Sequence, residues 1–317
     1  MKDSGFDSAL PARWGFWQRQ KNTLLYLLIR GAFLCVQFIP FALLRPFARG
    51  LGHLAYAVAW GERRRALEHL AIAFPERSAE EQRSIARAMF VHLALAAVEV
   101  AHMERFVEGS EKVVMNAESR AVIDDALAQG RGLVAVTGHI GNWELLAQVV
   151  AAAGYPCHTI AKPLYDPRLT RWVDGARGRY GLRTIWRGLA GGSRDMLRVF
   201  RNNGILALLI DQDTKVQGDW VPFFGKLAYT PTAAAGLALR VDAPLCVCYL
   251  QRTRHGHRVF IDAVAKPTEG DRQSQIRTLT ADLTTRLEAA IRQAPEQWVW
   301  MHRRWRRRPE MGSDPDT

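Results

Sequence analysis

A histidine and a glutamate lie five positions apart in a glycine-rich stretch, where their side chains could perform acid–base chemistry. They are His139 and Glu144, and the stretch reads Thr-Gly-His-Ile-Gly-Asn-Trp-Glu over 137–144. On one continuous helix, side chains five positions apart point about 140° away from each other, so these two would not meet. We therefore predict that His139 lies in a turn, that Asn142 caps the following helix, and that Glu144 falls in its first turn.

In that arrangement the carboxylate of Glu144 reaches back to the imidazole of His139. A carboxylate on one ring nitrogen fixes the tautomer, and the other nitrogen takes a proton from an attacking hydroxyl. The glycines let a substrate approach the backbone, and the helix N-terminus favours an anion or a developing oxyanion. Spacing alone leaves a second interpretation open, because a single histidine in such a pattern is more often structural.

Strands and helices alternate from position 132 onward, and this alternation decides the fold class. Predicted strands are 133–136, 157–161, 182–186, 205–211, 245–252 and 258–265, and predicted helices are 143–153, 168–179, 193–201, 232–240 and 273–293. The pattern predicts an α/β fold with a mostly parallel central sheet flanked by helices. Ligands of such folds bind beyond the carboxyl ends of strands. Asp211 and Asp213 end a buried strand, so they either bind substrate or cap the following loop.

The N-terminal region carries an apolar stretch at 24–44, interrupted by Arg30, Gln37 and Pro40. A membrane-spanning helix needs about 20 apolar residues, but an arginine near its middle costs roughly 2.5–3.5 kcal/mol. We predict a marginal span or a membrane-associated helix at the interface, with a buried helix of a soluble domain as the alternative. Basic residues flank the stretch on both sides, which suits an anionic cytoplasmic leaflet.

Between this stretch and the alternating region, the sequence is helical. Ser78 and Glu81 fit a capping box that opens a helix toward Val100, and 117–128 form another helix, stopped by Gly130. We predict three regions in the chain: an N-terminal membrane anchor region at 1–50, one large domain at 51–308 and a disordered tail at 309–317.

Composition restricts the possible partners. Lysine and arginine number 43, and aspartate and glutamate 31, which gives a net charge of +12 and a pI near 10.0. Such a surface favours acidic lipid head groups, phosphorylated substrates, an acidic carrier protein or nucleic acid. The basic residues form no recognised nucleic-acid motif, so we predict no nucleic-acid partner. The four cysteines show neither zinc spacing nor a disulfide framework, and Cys246 and Cys248 are predicted to be core residues on one strand face.

Five stretches give the chain a family resemblance. They are Ala-Phe-Pro-Glu at 73–76, Gly-His-Ile-Gly-Asn-Trp-Glu at 138–144, Asp-Gln-Asp at 211–213, Val-Pro-Phe-Phe-Gly at 221–225 and Pro-Glu-Gln-Trp-Val-Trp-Met-His-Arg-Arg-Trp at 295–305. The His-x4-Glu pattern resembles the His-x4-Asp/Glu motif of the glycerolipid acyltransferase superfamily. Together the five stretches resemble its branch of lauroyl and myristoyl acyltransferases, which complete lipid A.

That resemblance implies transfer of a fatty acyl chain from an acyl thioester, on acyl carrier protein or coenzyme A, to a hydroxyl of a phosphorylated glycolipid such as a lipid A precursor. His139 would deprotonate this hydroxyl and Glu144 would orient the imidazole, with no covalent acyl-enzyme, no cofactor and no metal. The resemblance also implies a glycerolipid-acyltransferase-like fold on the cytoplasmic side of the bacterial inner membrane, with 51–308 as the acyltransferase domain.

Substrate-binding residues follow from the same resemblance. Arg177 matches an arginine of the family, and its planar guanidinium would hold an acceptor phosphate; a solvated helix face is the alternative. The other predicted substrate-binding residues are Asn142, Lys162, Asp211 and Asp213. The chain departs from the family at Lys162, where arginine is common, and at His69, which replaces an asparagine.

Three other functions remain open on the sequence. The first is an acyltransferase for another glycolipid or a phospholipid acceptor. The second is an acyl hydrolase that uses the same histidine on water, although 191–193 lacks the second glycine of a nucleophile elbow and no His-Glu-x-x-His motif occurs. The third is a non-catalytic protein that binds the membrane surface.

Overall fold

The computed structural model describes residues 14–109, 111–188, 191–307 and 309. The strands are β1 (Val113–Met115), β2 (Leu133–Thr137), β3 (Cys157–Ala161), β4 (Arg183–Trp186), β5 (Ile205–Leu209), β6 (Gly218–Phe223), β7 (Lys226–Pro231), β8 (Leu245–Thr253) and β9 (Gly256–Val264). The helices are α1 (Phe16–Phe38), α2 (Phe41–Val58), α3 (Trp60–Ala73), α4 (Ala79–Ala101), α5 (Met103–Val107), α6 (Ala117–Ala128), α7 (Trp143–Ala152), α8 (Pro167–Gly178), α9 (Gly192–Arg201), α10 (Ala233–Val241) and α11 (Arg272–Gln293), and a 3₁₀ turn follows at Pro295–Gln297.

Seven of the strands form one mixed sheet in the order β1-β9-β8-β2-β5-β3-β4. Every neighbouring pair is parallel except the β8–β9 hairpin, so the predicted α/β fold with a mostly parallel central sheet is confirmed. Strands β6 and β7 form a separate antiparallel hairpin, which the sequence analysis did not predict. Its two-residue turn, Phe224 and Gly225, has positive φ at both positions, as the twist of such hairpins requires.

Hydrophobic cores cover both faces of the sheet, which explains why the central strands are apolar at nearly every position. Side chains alternate between the two faces along each strand. Val134 and Val136 of β2 pack with α3, α4, α10 and α11, whereas Leu133 packs on the other face with α5, α6 and α7. Cys246 and Cys248 are free, buried thiols in this second core, so their prediction as core residues is confirmed.

The apolar stretch at 24–44 does not form a single helix. Helix α1 ends at Phe38, Ile39 is extended, and α2 begins after Pro40. Proline disfavours the helical conformation of the residue before it and lacks a backbone N–H, so the helix stops here. Both helices expose large apolar side chains, among them Leu24, Leu25, Leu27, Leu28, Leu34 and Phe38 on α1 and Leu43, Phe47, Leu51 and Leu54 on α2.

Helix α4 is the central helix of the N-terminal half, and α2 packs along it. It begins at the predicted capping box, in which Ser78 and Glu81 bond reciprocally. Within the described ranges, α4 alone is long and apolar enough to cross a membrane, but 50% of its most apolar stretch is buried inside the protein. The predicted boundary at position 50 falls inside α2. Of the tail predicted at 309–317, only Pro309 is among the described residues. Positions 1–13 of the predicted anchor region also lie outside them.

Candidate active site

His139 lies in the turn between β2 and α7, as predicted. Asn142 caps α7, because its Oδ1 accepts the N–H of Leu145 at 3.1 Å. The turn needs both of its glycines: a Cβ at Gly138 would lie 2.9 Å from Oδ2 of Asp211, and one at Gly141 would lie 1.6 Å from a backbone oxygen of β8. The glycines therefore let the turn lie directly against the end of the sheet.

The carboxylate at the imidazole belongs to Asp211. Oδ1 of Asp211 lies 2.8 Å from Nδ1 of His139, and its Oδ2 accepts the His139 backbone N–H at 2.6 Å and the indole N–H of Trp298 at 2.8 Å. Burial raises the pKa of Asp211, but the charge and hydrogen bonds of His139 outweigh it and hold that pKa below its usual range. The ionised carboxylate thus keeps a proton on Nδ1 and leaves Nε2 as the acceptor.

Sheet register explains this pairing. Strands β2 and β5 are adjacent and parallel, and Thr137 of β2 lies opposite Leu209 of β5. His139 and Asp211 each follow these residues by two positions, so both leave the sheet at the same place. The predicted contact between Glu144 and the imidazole is therefore corrected, because the neighbouring strand supplies the carboxylate.

Glu144 lies in the first turn of α7, as predicted, but it pairs with Arg177. The guanidinium donates from Nε to Oε1 at 2.6 Å and from Nη2 to Oε2 at 2.8 Å, and its Nη1 lies 3.3 Å from Oγ1 of Thr184. Burial lowers the pKa of Arg177, but the hydrogen bond and charge of Glu144 outweigh this and raise it. Glu144 and Arg177 thus line the same cavity as His139, and three of the five N–H donors of Arg177 are bonded within the protein.

Two further polar residues, Gln212 and His302, contact the imidazole of His139. Neither was predicted as a site residue from the sequence. The side-chain amide of Gln212 lies 3.0 Å from Nε2 of His139 and 2.6 Å from Nδ1 of His302. Burial, followed by the charge of His139, lowers the pKa of His302 to about 4, so its ring is neutral. Both residues fall within stretches of the family resemblance, at 211–213 and 295–305, which is the signal that could have identified them.

The remaining predicted site residues are distributed differently. Lys162 is exposed and lines the same cavity as His139, Glu144 and Arg177. Asp213 accepts the backbone N–H of Arg307 at 2.9 Å and lies 3.4 Å from the guanidinium of Arg306, so it anchors the C-terminal segment. Asn142 is buried and faces α4 rather than the cavity.

A cavity of about 1050 Å³ opens beside His139. Its polar lining includes Glu144, Lys162, Arg177 and Gln212. Its apolar lining lies between α7 and the sheet and includes Leu146, Val150, Cys157, Cys246, Cys248 and Ile261. Such a shape can hold a long apolar chain with its polar end at the imidazole. In the part of the chain that the structure describes, no group of three or more His, Cys, Asp or Glu side chains could hold a metal ion.

Comparison with known proteins matches nearly the whole chain to one family. The profile of the family described as bacterial lipid A biosynthesis acyltransferase covers residues 18–307. A phosphatidylinositol mannoside acyltransferase of Mycobacterium tuberculosis is 27% identical over 58% of this chain and 57% of its own length. The Escherichia coli lipid A biosynthesis palmitoleoyltransferase is 26% identical over 77% of this chain and 78% of its own. The Escherichia coli lipid A biosynthesis lauroyltransferase is 24% identical over 90% of this chain and 92% of its own.

Proposed function

Because the chain belongs to the bacterial lipid A biosynthesis acyltransferase family, we propose that it is an O-acyltransferase. It moves a fatty acyl chain from an acyl thioester to a hydroxyl of a lipid A precursor or a related glycolipid. The observation that carries this proposal is the pairing of His139 with the buried Asp211 beside a large, partly apolar cavity.

In this mechanism His139 is the general base. Asp211 holds the proton on Nδ1, so Nε2 accepts the proton of the acceptor hydroxyl. The hydroxyl oxygen attacks the thioester carbonyl and forms a tetrahedral intermediate. The C–S bond then breaks, and the proton on Nε2 passes to the leaving thiolate. The amide of Gln212 lies 3.0 Å from Nε2 and 3.2 Å from Nδ1, so it contacts the imidazole between its two nitrogens.

The acyl chain would occupy the apolar part of the cavity. Its lining comes from α7 and from the core-facing side of the sheet, and includes the thiols of Cys157, Cys246 and Cys248. Burial raises the pKa of Cys157 to about 12, which keeps this thiol neutral. A neutral thiol is a small, weakly polar group that is compatible with a hydrocarbon chain.

Cations at the cavity suit a phosphorylated substrate. Arg177 is already paired with Glu144, so the acceptor-phosphate role predicted for it would require this ion pair to open. Lys162, Arg187 and Arg194 line the same cavity and are exposed. We assign substrate phosphate first to these three side chains. The phosphate belongs either to the glycolipid acceptor or to the prosthetic group of acyl carrier protein or coenzyme A, which serves as the donor.

The N-terminal helices would hold the enzyme at the cytoplasmic face of the inner membrane. Both α1 and α2 expose large apolar side chains, and the net charge of +12 favours an anionic leaflet. The break at Pro40 supports helices that lie in the interface rather than one straight span.

A reconstituted transfer assay tests this function. The full-length protein, in vesicles containing either a lipid A precursor or a phosphatidylinositol mannoside, is given acyl carrier protein or coenzyme A thioesters, and lipid products are measured by mass spectrometry. We expect acyl transfer that depends on the acceptor and falls roughly 10²–10⁴-fold in a folded His139→Ala protein. Thioester cleavage that proceeds equally without any acceptor would identify a hydrolase instead.

A further inference from the structure

We propose that Glu99 of α4 is a positioning residue, which holds the turn that carries His139 through Asn142 and Gly141. The inference rests on the proposed function, because the placement of the turn affects catalysis only if His139 is the base. Glu99 belongs to a buried cluster of charged and polar side chains on the far side of the turn from the cavity. None of the catalytic steps above uses this cluster.

The Glu99 carboxylate accepts three hydrogen bonds from two residues. Arg252 donates from Nε to Oε1 at 3.1 Å and from Nη2 to Oε2 at 2.7 Å. Asn142 donates from Nδ2 to Oε2 at 3.0 Å, and Nε2 of His257 lies 3.3 Å from Oε1. Burial raises the pKa of Glu99, but the hydrogen bond of His257 and the charge of Arg252 outweigh it and lower that pKa to about 2. Glu99 is therefore a fixed negative charge to which the Asn142 amide is anchored.

Asn142 connects this charge to the active-site turn. Its Oδ1 caps α7 by accepting the Leu145 N–H, while its Nδ2 donates to Glu99 and to the backbone oxygen of Ala96. Both ends of one amide are thus used, and the residue lies three positions after His139. Rotation of this side chain would break the cap and the anchor together, so Glu99 fixes the point where the turn becomes helix.

A second link runs from α4 to the backbone of Gly141. Nε2 of His92 lies 3.0 Å from the backbone oxygen of Gly141. Nδ1 of the same histidine lies 3.3 Å from Nη1 of Arg252. Burial, followed by the charge of Arg252, lowers the pKa of His92 to about 4, so the ring is neutral. Its Nε2–H donates to Gly141 while its Nδ1 accepts from Arg252. His92 and Glu99 lie seven positions apart, and so share one face of α4.

A third link comes from the 3₁₀ turn after α11. The backbone oxygen of Gln297 accepts the Gly141 N–H at 2.7 Å. The side-chain amide of Gln297 accepts the backbone N–H of Arg252 at 2.8 Å and donates to the backbone oxygen of Arg252 at 2.9 Å. Both backbone polar groups of Gly141 and the side chain of Asn142 are therefore held by one network, with the Glu99–Arg252 ion pair at its centre.

The energetics of this ion pair favour a role in placement. A buried ion pair stabilises a fold little more than well-packed apolar residues would, because both charges lose their water. Catalytic geometry is far more demanding, since a displacement of about 1 Å can lower a rate by roughly 10²-fold. A network that fixes Gly141 and Asn142 limits such movement of His139.

Kinetics of four variants test the proposal: two single substitutions, their combination and a control. Glu99→Gln removes the charge, and Asn142→Ser keeps a helix cap but removes the donor to Glu99. We expect each to lower kcat by about tenfold or more, with KM for donor and acceptor unchanged within about twofold. The double variant should match the more impaired single variant, because both substitutions cut the same link. Asp219→Asn is the matched control: it breaks the Asp219–Arg277 ion pair, 2.7 Å long between β6 and α11, and should lower Tm without lowering kcat.

A spectroscopic measurement makes the test independent of turnover. In the full-length, nitrogen-labelled protein, the proton of His139 Nδ1 that is hydrogen-bonded to Asp211 gives a resonance that Asp211→Asn abolishes. This resonance should shift in Glu99→Gln and Asn142→Ser and stay unchanged in Asp219→Asn.

Three results would overturn the proposal: an unmoved resonance in both variants, kcat effects that multiply in the double variant, or a raised KM with normal kcat in Asn142→Ser. The last would return Asn142 to substrate binding. Absence of acyl transfer by the wild-type protein would refute the proposed function alone, because the resonance still decides whether Glu99 positions the turn.

Discussion

Two carboxylates lie near the candidate active-site turn, and they differ in burial, in hydrogen-bond partners and in distance along the chain from His139. Asp211 is buried and takes three hydrogen bonds, two from His139 and one from Trp298. Glu144 is partly exposed and pairs with the guanidinium of Arg177. Glu144 is five positions from the histidine in sequence and Asp211 is 72, yet Asp211 is the partner. Adjacency of parallel strands, rather than nearness along the chain, selects the group that orients the imidazole.

Replacing Asp211 should lower kcat far more than replacing Glu144 does. Asp211→Asn removes the charge that holds the Nδ1 proton, so the imidazole loses its productive tautomer and its stabilised cation. We expect kcat to fall by roughly 10²–10⁴-fold, as in His139→Ala, with little change in KM. Steady-state kinetics of the folded variant measure this. If Asp211→Asn retains near-normal kcat while Glu144→Gln loses it, the pairing predicted from the sequence motif is the functional one.

Acid titration of stability should report on the Asp211 carboxylate. The pKa of Asp211 is lowered in the folded protein, so its contribution to stability is present above its unfolded pKa of about 3.9 and is lost as pH falls below that value. Each unit of depression corresponds to about 1.4 kcal/mol. As the pH falls from roughly 4 to roughly 2, the free energy of unfolding should decrease less in Asp211→Asn than in the wild-type protein. Denaturant unfolding at several pH values measures it. Equal slopes for Asp211→Asn and wild type would contradict the expectation.

Replacing Glu144 should have the smallest effect. Glu144→Gln leaves Arg177 with a single strong acceptor, which loosens the cavity lining without touching the imidazole. We expect kcat within about tenfold of wild type and a larger change in KM for the phosphorylated substrate, because the freed guanidinium becomes available to an anion. Comparing KM for phosphorylated and dephosphorylated acceptors measures this. An unchanged KM on both would show that Arg177 has no access to substrate even when its partner is neutral.

Local features of the site could be predicted from the sequence, and long-range ones could not. The turn at His139 and the Asn142 cap follow from glycine and capping preferences within eight residues, and both are as predicted. The predicted strand ending near Asp211 also exists. The pairing of His139 with Asp211 needs the order of the strands in the sheet, which apolar periodicity does not contain, because every buried strand has the same pattern.

The other omissions have two causes, one local and one long-range. The β6–β7 hairpin was missed because its turn uses Phe224 at positive φ, a conformation that β-turn preferences assign to glycine or asparagine. Gln212 reaches the imidazole from the end of β5, so its contact depends on strand order, and His302 reaches it only after the C-terminal segment folds back toward the site. The Glu99 network joins α4, the turn that carries His139, β8, β9 and the 3₁₀ turn, and no local sequence pattern links these five segments.

The break at Pro40 has a consequence for how the enzyme would meet its substrates. If α1 and α2 lie in the membrane interface as proposed, with their exposed apolar side chains in the lipid, they confine the protein to a single leaflet. An enzyme held in this way would meet a lipid acceptor by lateral diffusion within the membrane, whereas its soluble acyl donor would reach it by diffusion through the surrounding water. Its rate should then follow the mole fraction of acceptor in the leaflet and stay constant when vesicles are diluted at fixed lipid composition.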